Sequence, residues 1–211
     1  MTAIPQKFYT PEEYLELERD APYKSEYYQG RIYPMGDFEG QTPEAMAGTR
    51  APHNTVKENL SVEIGSFLKQ TRTCRSYSSD QRIFIPKNGL YTYPDLAVVC
   101  GKPDFGDNEQ FLLLNPMLLV EVLSAGTASY DRAEKFEFYR SIPTLQEYLT
   151  VDSRRVNAEL WRKTGENGWL LAQEVRDLDA AITLASLGLT VRLADVYANV
   201  DHLPAADFVL R

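Results

Sequence analysis

The stretch Met117-Leu118-Leu119-Val120-Glu121-Val122-Leu123 sets a single carboxylate in an otherwise apolar run. No polar/apolar alternation surrounds Glu121, so the run reads as a strand covered on both faces, the kind found inside an α/β fold. An ionised and unpaired glutamate there would be costly, because its hydration is lost and nothing replaces it. A cation, a proton or a chemical task has to compensate it. Upstream, Tyr93-Pro94-Asp95 leads into a second short apolar run, Leu96-Ala97-Val98-Val99-Cys100. Downstream, Lys135 follows Asp131-Arg132-Ala133-Glu134, whose spacing is that of a helix capping box, so a helix is expected to begin at Asp131 and run to about Ser141.

Working outward, Thr10-Pro11-Glu12-Glu13 combines an N-cap, a proline at the first helical position and an acid three residues after the cap, predicting a short helix through about Arg19. Residues 23–28 and 31–35 read as a hairpin turning at Gln29-Gly30. Residues 36–50 carry Gly, Pro and Thr without apolar periodicity and read as a mobile loop. Val56, Leu60, Ile64, Phe67 and Leu68 recur at helical spacing, predicting a helix over about 54–70 just after His53. Short strands are expected at about 75–79, 82–86, 145–151 and 181–184, a second hairpin pairs 156–162 with 169–174, and a short helix is expected over about 194–200. The resulting expectation is α/β: a mixed central sheet flanked by helices, with peripheral β-hairpins.

With 211 residues and neither repeats nor a splitting linker, the chain reads as one domain over 1–211, with its core at about 10–200. No apolar run of about 18 residues suggests a membrane span, and the first residues lack a signal-peptide pattern, so a soluble cytoplasmic protein is expected. Cys74 and Cys100 are expected to be reduced, and the cysteines and histidines form no zinc pattern. The net charge of -8 argues against a nonspecific nucleic-acid coat. It leaves room for a nuclease whose acids surround a metal, with Arg72/Arg75/Arg82 or Arg154/Arg155 either meeting phosphates or standing as solvated edges.

Two acids on neighbouring strands and one lysine are the parts of a divalent-metal phosphodiesterase site. Mg²⁺ takes one or two carboxylates together with water and substrate phosphate, which Asp95 and Glu121 could supply if both face one way. Each residue has a plainer alternative. Asp95 could be a turn residue after Pro94, Glu121 half of a buried salt bridge, and Lys135 the partner of Asp131 in a helical ion pair. Against that last option, a lysine in a first helical turn opposes the macrodipole. His53 could cap its helix, bind phosphate or move a proton, or be purely structural. Glu26, between Ser25 and Tyr27, could be a third ligand or an exposed strand residue. Neither a Ser/His/Asp pattern around Ser124 nor a glycine-rich phosphate loop is present.

The order and spacing of Lys24-Ser25-Glu26-Tyr27-Tyr28-Gln29-Gly30-Arg31, the His53 helix, Tyr93-Pro94-Asp95-Leu96, Val120-Glu121-Val122-Leu123-Ser124, Asp131 to Lys135 with Tyr139, and Glu147-Tyr148-Leu149-Thr150-Val151-Asp152 form a set. Together they resemble the Uma2 family, also called DUF820, within the PD-(D/E)XK restriction-endonuclease-like superfamily. The resemblance runs from about Thr10 to Val200, and residues 94–152 are its specific part. It implies a restriction-endonuclease-like fold, Asp95 and Glu121 as ligands for Mg²⁺ or Mn²⁺, and DNA as substrate. The superfamily lysine two residues after the second acid is Leu123 here, and the resemblance implies that Lys135 has taken over from the adjacent helix. Glu26 and His53 match further motif positions. Leu149 stands where the family often has Trp, and the segment between Met35 and His53 is long. The resulting expectation is a metal-dependent DNA endonuclease, plausibly a homodimer, with no membrane partner; the competing class is a binding module that kept the fold and lost catalysis.

Overall fold

The apolar run around Glu121 is the centre of the structure, a computed structural model that describes residues 7–35, 51–165, 168–201 and 203. Leu118–Leu123 forms strand β8, and all six of its residues are buried. In chain order before it come α1 (Pro11–Asp20), β1 (Ser25–Tyr28), β2 (Arg31–Pro34), α2 (Ala51–Thr71), β3 (Cys74–Ser78), β4 (Arg82–Ile85), β5 (Leu90–Thr92), β6 (Leu96–Cys100) and β7 (Leu112–Leu113). After it come α3 (residues 128–139), β9 (Glu147–Asp152), β10 (Ala158–Thr164), β11 (Gly168–Val175), β12 (Ala181–Leu184), β13 (Leu189–Arg192) and α4 (Leu193–Val196).

Among the described residues the main sheet has the order β11-β10-β9-β8-β6-β3. It is mixed: β8 and β9 run parallel while β6 pairs antiparallel with β8. Alternation along β8 sorts its side chains between two cores. Leu118, Val120 and Val122 pack with Val56, Leu60, Ile64 and Leu68 of α2, and with β12, β13 and α4. Leu119 points the other way, toward Phe136 and Tyr139 of α3 and toward Ile83, Ile85 and Leu90 of a second sheet. That second sheet, β2-β1-β5-β4-β7, carries the hairpin of Glu26. The mixed α/β architecture with peripheral hairpins is the one expected. Each fully buried aliphatic side chain in these cores contributes about 1.5–3 kcal/mol over leaving it in water.

Local chemistry explains the ends. Thr10 accepts from the Glu13 amide while the Glu13 carboxylate accepts from the Thr10 amide, closing the expected capping box. Gln29 and Gly30 turn the first hairpin with φ of 47° and 80°, and a Cβ at Gly30 would come within 2.9 Å of Phe8.

Three expectations are corrected. Cys74 lies directly opposite Cys100 in the β3–β6 register and the two are joined as a disulfide, where free thiols were expected; the residues are 26 apart in sequence, and only the antiparallel pairing brings their Cα atoms to 4.0 Å. Helix α3 starts at Ala128, not at Asp131, because Ser124 and Thr127 exchange hydrogen bonds that close the preceding turn. Its middle turn, Asp131–Lys135, is π-helical, so both of those side chains face inward and are buried. Helix α2 starts at Ala51, which puts His53 inside its first turn. The short strands β5, β7 and β13 carry too few residues to show a period in sequence. The loop expected at 36–50 lies outside the described residues. Among the described residues no helix is long and apolar enough to cross a membrane.

Candidate active site

Glu121 shares its face of the main sheet with α3, and there three carboxylates surround one ammonium group, with a fourth close by. Lys135 Nζ lies 2.9 Å from Glu121 Oε1, 3.3 Å from Glu26 Oε1 and 3.6 Å from Asp131 Oδ1. Its side chain is only 4% exposed, so these contacts are made almost without water. Asp95, at the entrance to β6, completes the group: Oδ2 accepts from the Val122 amide at 2.8 Å and lies 3.5 Å from His53 Nε2. All five residues singled out from the sequence therefore converge, although Glu26 and Glu121 belong to different sheets. The ion pair between Lys135 and Asp131 is also real, so the plainer reading of that pair describes one edge of a larger cluster.

Phenols and a hydroxyl hold the carboxylates in place. Tyr139 donates to Glu121 Oε1 at 2.7 Å, Tyr130 donates to Glu26 Oε2 at 2.8 Å, and Thr92 donates to Glu26 Oε1. Tyr148 fixes the π-helical turn by donating to the Asp131 carbonyl at 3.0 Å. Burial pushes the Tyr130, Tyr139 and Tyr148 phenols up, and the carboxylates beside them push in the same direction, so they remain neutral donors. Asp131, Tyr130 and Thr92 are the members that sequence reasoning missed. Asp131 was read as a cap and as an ion-pair partner of Lys135 but not as a member of the site; Thr92 sits on a strand too short to be noticed.

The charges are divided unevenly. Burial raises Glu121 to about 8, with Lys135 opposing and Asp131 and Asp95 adding to the rise. Asp131 is raised by burial as well, against the pull of Lys135 and a hydrogen bond from Thr127. Burial also works against Asp95, but His53, the Val122 amide and Lys135 outweigh it and hold its carboxyl below the usual range. Burial would neutralise Lys135, yet Glu121 and the other acids overcome it and keep the ammonium well above its ordinary pKa. Lys135 stands in mid-helix, so the macrodipole has no part in explaining it; the carboxylates do.

Among the described residues no three or more His, Cys, Asp or Glu side chains are grouped to hold a metal ion. A divalent ion would have to be held by Asp95 and Glu121, with water and substrate oxygen filling the remaining positions, an arrangement Mg²⁺ accepts. The donor set fits. Asp95 spends Oδ2 on internal contacts and Glu121 spends Oε1, while Asp95 Oδ1 and Glu121 Oε2 take no hydrogen bond among the described residues. Leu123, at the position of the usual lysine, is fully buried, and its carbonyl accepts from Ser153. The amine that reaches Glu121 comes instead from α3.

The fold and the family of this chain both recur among known proteins. The structure aligns with the crystal structure of a protein from Anabaena variabilis described as a putative nuclease belonging to DUF820, with a TM-score of 0.67, covering 88% of this chain and 96% of that one. At 17% identity that likeness establishes the fold. A protein of Synechocystis sp. described as uncharacterized is 39% identical over 177 residues, covering 82% of this chain and 91% of its own. A second from the same organism, described in the same way, is 34% identical over 191 residues, covering 90% and 92%. The profile of the Uma2 family, described as "Putative restriction endonuclease", matches residues 11–194, and this chain belongs to the Uma2 family.

Proposed function

We propose that this protein is an endonuclease that hydrolyses DNA phosphodiester bonds with the help of Mg²⁺ or Mn²⁺. The observation that carries the reading is the cluster itself: a protonated lysine and two part-free carboxylates, Asp95 and Glu121, on one face of a sheet. A cation bound by those two carboxylates would supply positive charge at the scissile phosphate and acidify an attacking water. Asp95 and Glu121 would hold that cation through their open oxygens. Lys135, kept ionised by three acids, stabilises the negative charge that builds on the pentacovalent phosphate. Glu26 positions the lysine, and His53 positions Asp95. A two-fold pair of such chains would cut both strands of a duplex.

The competing reading is a nucleic-acid- or protein-binding module without catalysis. One observation favours it: the ammonium of Lys135 already occupies the space between Glu26, Glu121 and Asp131, and among the described residues no three acids or histidines are grouped so as to hold a metal ion. The deciding experiment incubates supercoiled plasmid, single-stranded DNA and branched DNA with Mg²⁺ or Mn²⁺, beside the Glu121→Ala variant. Metal-dependent cleavage by the wild type that disappears in the variant is expected. Cleavage that survives in the variant rules the site out, and a folded wild type that cuts none of the three substrates supports the binding module.

A further inference from the structure

The turn that follows β9 presents arginines on the same face of the sheet as the acids. Glu121 pairs with Thr150 across β8 and β9, and Leu123 pairs with Asp152. Asp152 therefore lies two residues beyond Thr150, roughly 7 Å further along the strand, with its side chain on the α3 face. Asp152 is completely buried, yet three guanidinium groups approach its carboxylate. Arg154 takes both oxygens, at 2.9 and 2.8 Å; Arg155 Nε lies 3.4 Å away; and Arg132 Nη2, from α3, lies 3.9 Å away. Arg132 turns its Nε to Glu159 at 3.1 Å. Three cations thus meet two acids in a chain whose net charge is -8.

The cluster is not satisfied internally. Among the described residues Arg132 Nη2 is buried without a hydrogen-bond partner, as are Thr150 Oγ1 and Asn157 Oδ1. Among the described residues the Arg155 guanidinium makes one ion pair, to Asp152, and 58% of its side chain is exposed. The turn is nevertheless rigidly built. Ser153 donates from both its amide and its hydroxyl to the Leu123 carbonyl. The Tyr197 hydroxyl lies within hydrogen-bond reach of the carbonyls of Asp152, Arg155 and Asn157, at 2.8, 3.0 and 3.2 Å, and accepts from the Asn157 amide at 3.1 Å. A long cationic side chain on a mobile loop loses entropy when it binds. Here the backbone beneath Arg154 and Arg155 is already fixed; Arg154 is held by Asp152 through Nε and Nη2, and the exposed remainder of its guanidinium together with that of Arg155 suits the oxygens of a phosphate. Arg132 also borders a groove of about 500 Å³ whose lining is charge-balanced, Arg132 and Arg140 against Glu134 and Glu137, so the excess of cations stays at the β9 turn.

We infer that Arg154 and Arg155, with Arg132, form a phosphate-contact site for the nucleic-acid backbone next to the bond held at Glu121. The inference rests on the nucleic-acid reading of the preceding section but needs no cleavage. Binding of fluorescein-labelled single-stranded and duplex DNA, measured by anisotropy in EDTA over a series of salt concentrations, tests it. Arg155→Ala is the main variant, because Asp152 keeps its two bonds to Arg154; Arg154→Lys is the second, retaining charge but losing the fork. Arg192→Ala, in an exposed pair with Asp195 on the far side of the sheet, is the control. Arg155→Ala is expected to weaken binding several-fold and to lower the slope of log Kd against log salt by about one contact. Arg154→Lys should weaken binding with less change in slope, and Arg192→Ala should change neither. An Arg155→Ala slope equal to that of the wild type, or a wild type that binds no DNA, overturns the inference. A wild type that cleaves while Arg155→Ala binds normally sinks this site and leaves the nuclease standing. An Arg155-dependent slope in a protein that never cleaves does the reverse.

Discussion

Two buried glutamates stand one strand apart, and they do opposite things. Glu147 opens β9 with its side chain 1% exposed, and every part of its carboxylate is used. Oε1 accepts from Arg162 at 2.9 Å and from the Ala185 amide at 3.1 Å; Oε2 accepts from the amide and hydroxyl of Ser186 at 3.0 and 2.5 Å. It straps the β12–β13 turn to the main sheet. Glu121, on the neighbouring β8, spends one oxygen on Tyr139 and Lys135, and among the described residues the other takes no hydrogen bond. A buried acid on an apolar strand is therefore not a site in itself. What separates a strap from a site is whether the carboxylate still has an oxygen to offer.

The sharpest way to break that comparison is to remove both acids and compare the costs. Glu147→Ala strands a guanidinium and two backbone amides, and should lower unfolding free energy in urea by about 3–5 kcal/mol. Lys135→Met comes next. It leaves Glu26, Glu121 and Asp131 facing one another without their cation and should cost about 3 kcal/mol at neutral pH, a loss that shrinks on acidification as the carboxylates protonate. Glu121→Gln should change stability by only about 1 kcal/mol in either direction, because Lys135 keeps two acids and an ionisable group leaves the core. Manganese binding by calorimetry should nevertheless disappear in that variant. Equal costs for Glu147→Ala and Glu121→Gln would erase the distinction drawn here.

The smallest effect is a pH dependence. The folded pKa of Glu121, about 8, lies above its ordinary 4.5, so between these values the folded protein holds a proton that the unfolded chain lacks. Its contribution to stability is accordingly complete below the ordinary value and falls as pH rises through the window. Metal affinity should move the opposite way, because the ligand must lose that proton: binding tightens up to about pH 8 and then levels off. Glu121→Gln should flatten the stability slope. A wild type whose metal affinity is the same at about pH 6 and about pH 8 would remove Glu121 from the ligand set.

The acid-bearing strand was legible because apolar continuity is a local signal: Leu118–Leu123 shows it without help from the rest of the chain. Capping at Thr10 and the turn at Gln29-Gly30 were legible for the same reason. Asp131 was misread because a cap and a buried carboxylate look alike in sequence; the Ser124–Thr127 hydrogen bonds that start α3 earlier depend on geometry. The Cys74–Cys100 disulfide was missed because strand register is a tertiary fact.

By itself the sequence determined the periodicities, the isolated acids and the one lysine near them, since these follow from side-chain spacing along a single element. Only the tertiary structure decided which acids meet. Glu26 comes from one sheet, Asp95 and Glu121 from another, and Lys135 from a helix with a π-helical turn. It also decided that both Glu147 oxygens are hydrogen-bonded while, among the described residues, Glu121 keeps one open, because the partners come from other elements, from Lys135 and Tyr139 for Glu121 and from Arg162, Ala185 and Ser186 for Glu147.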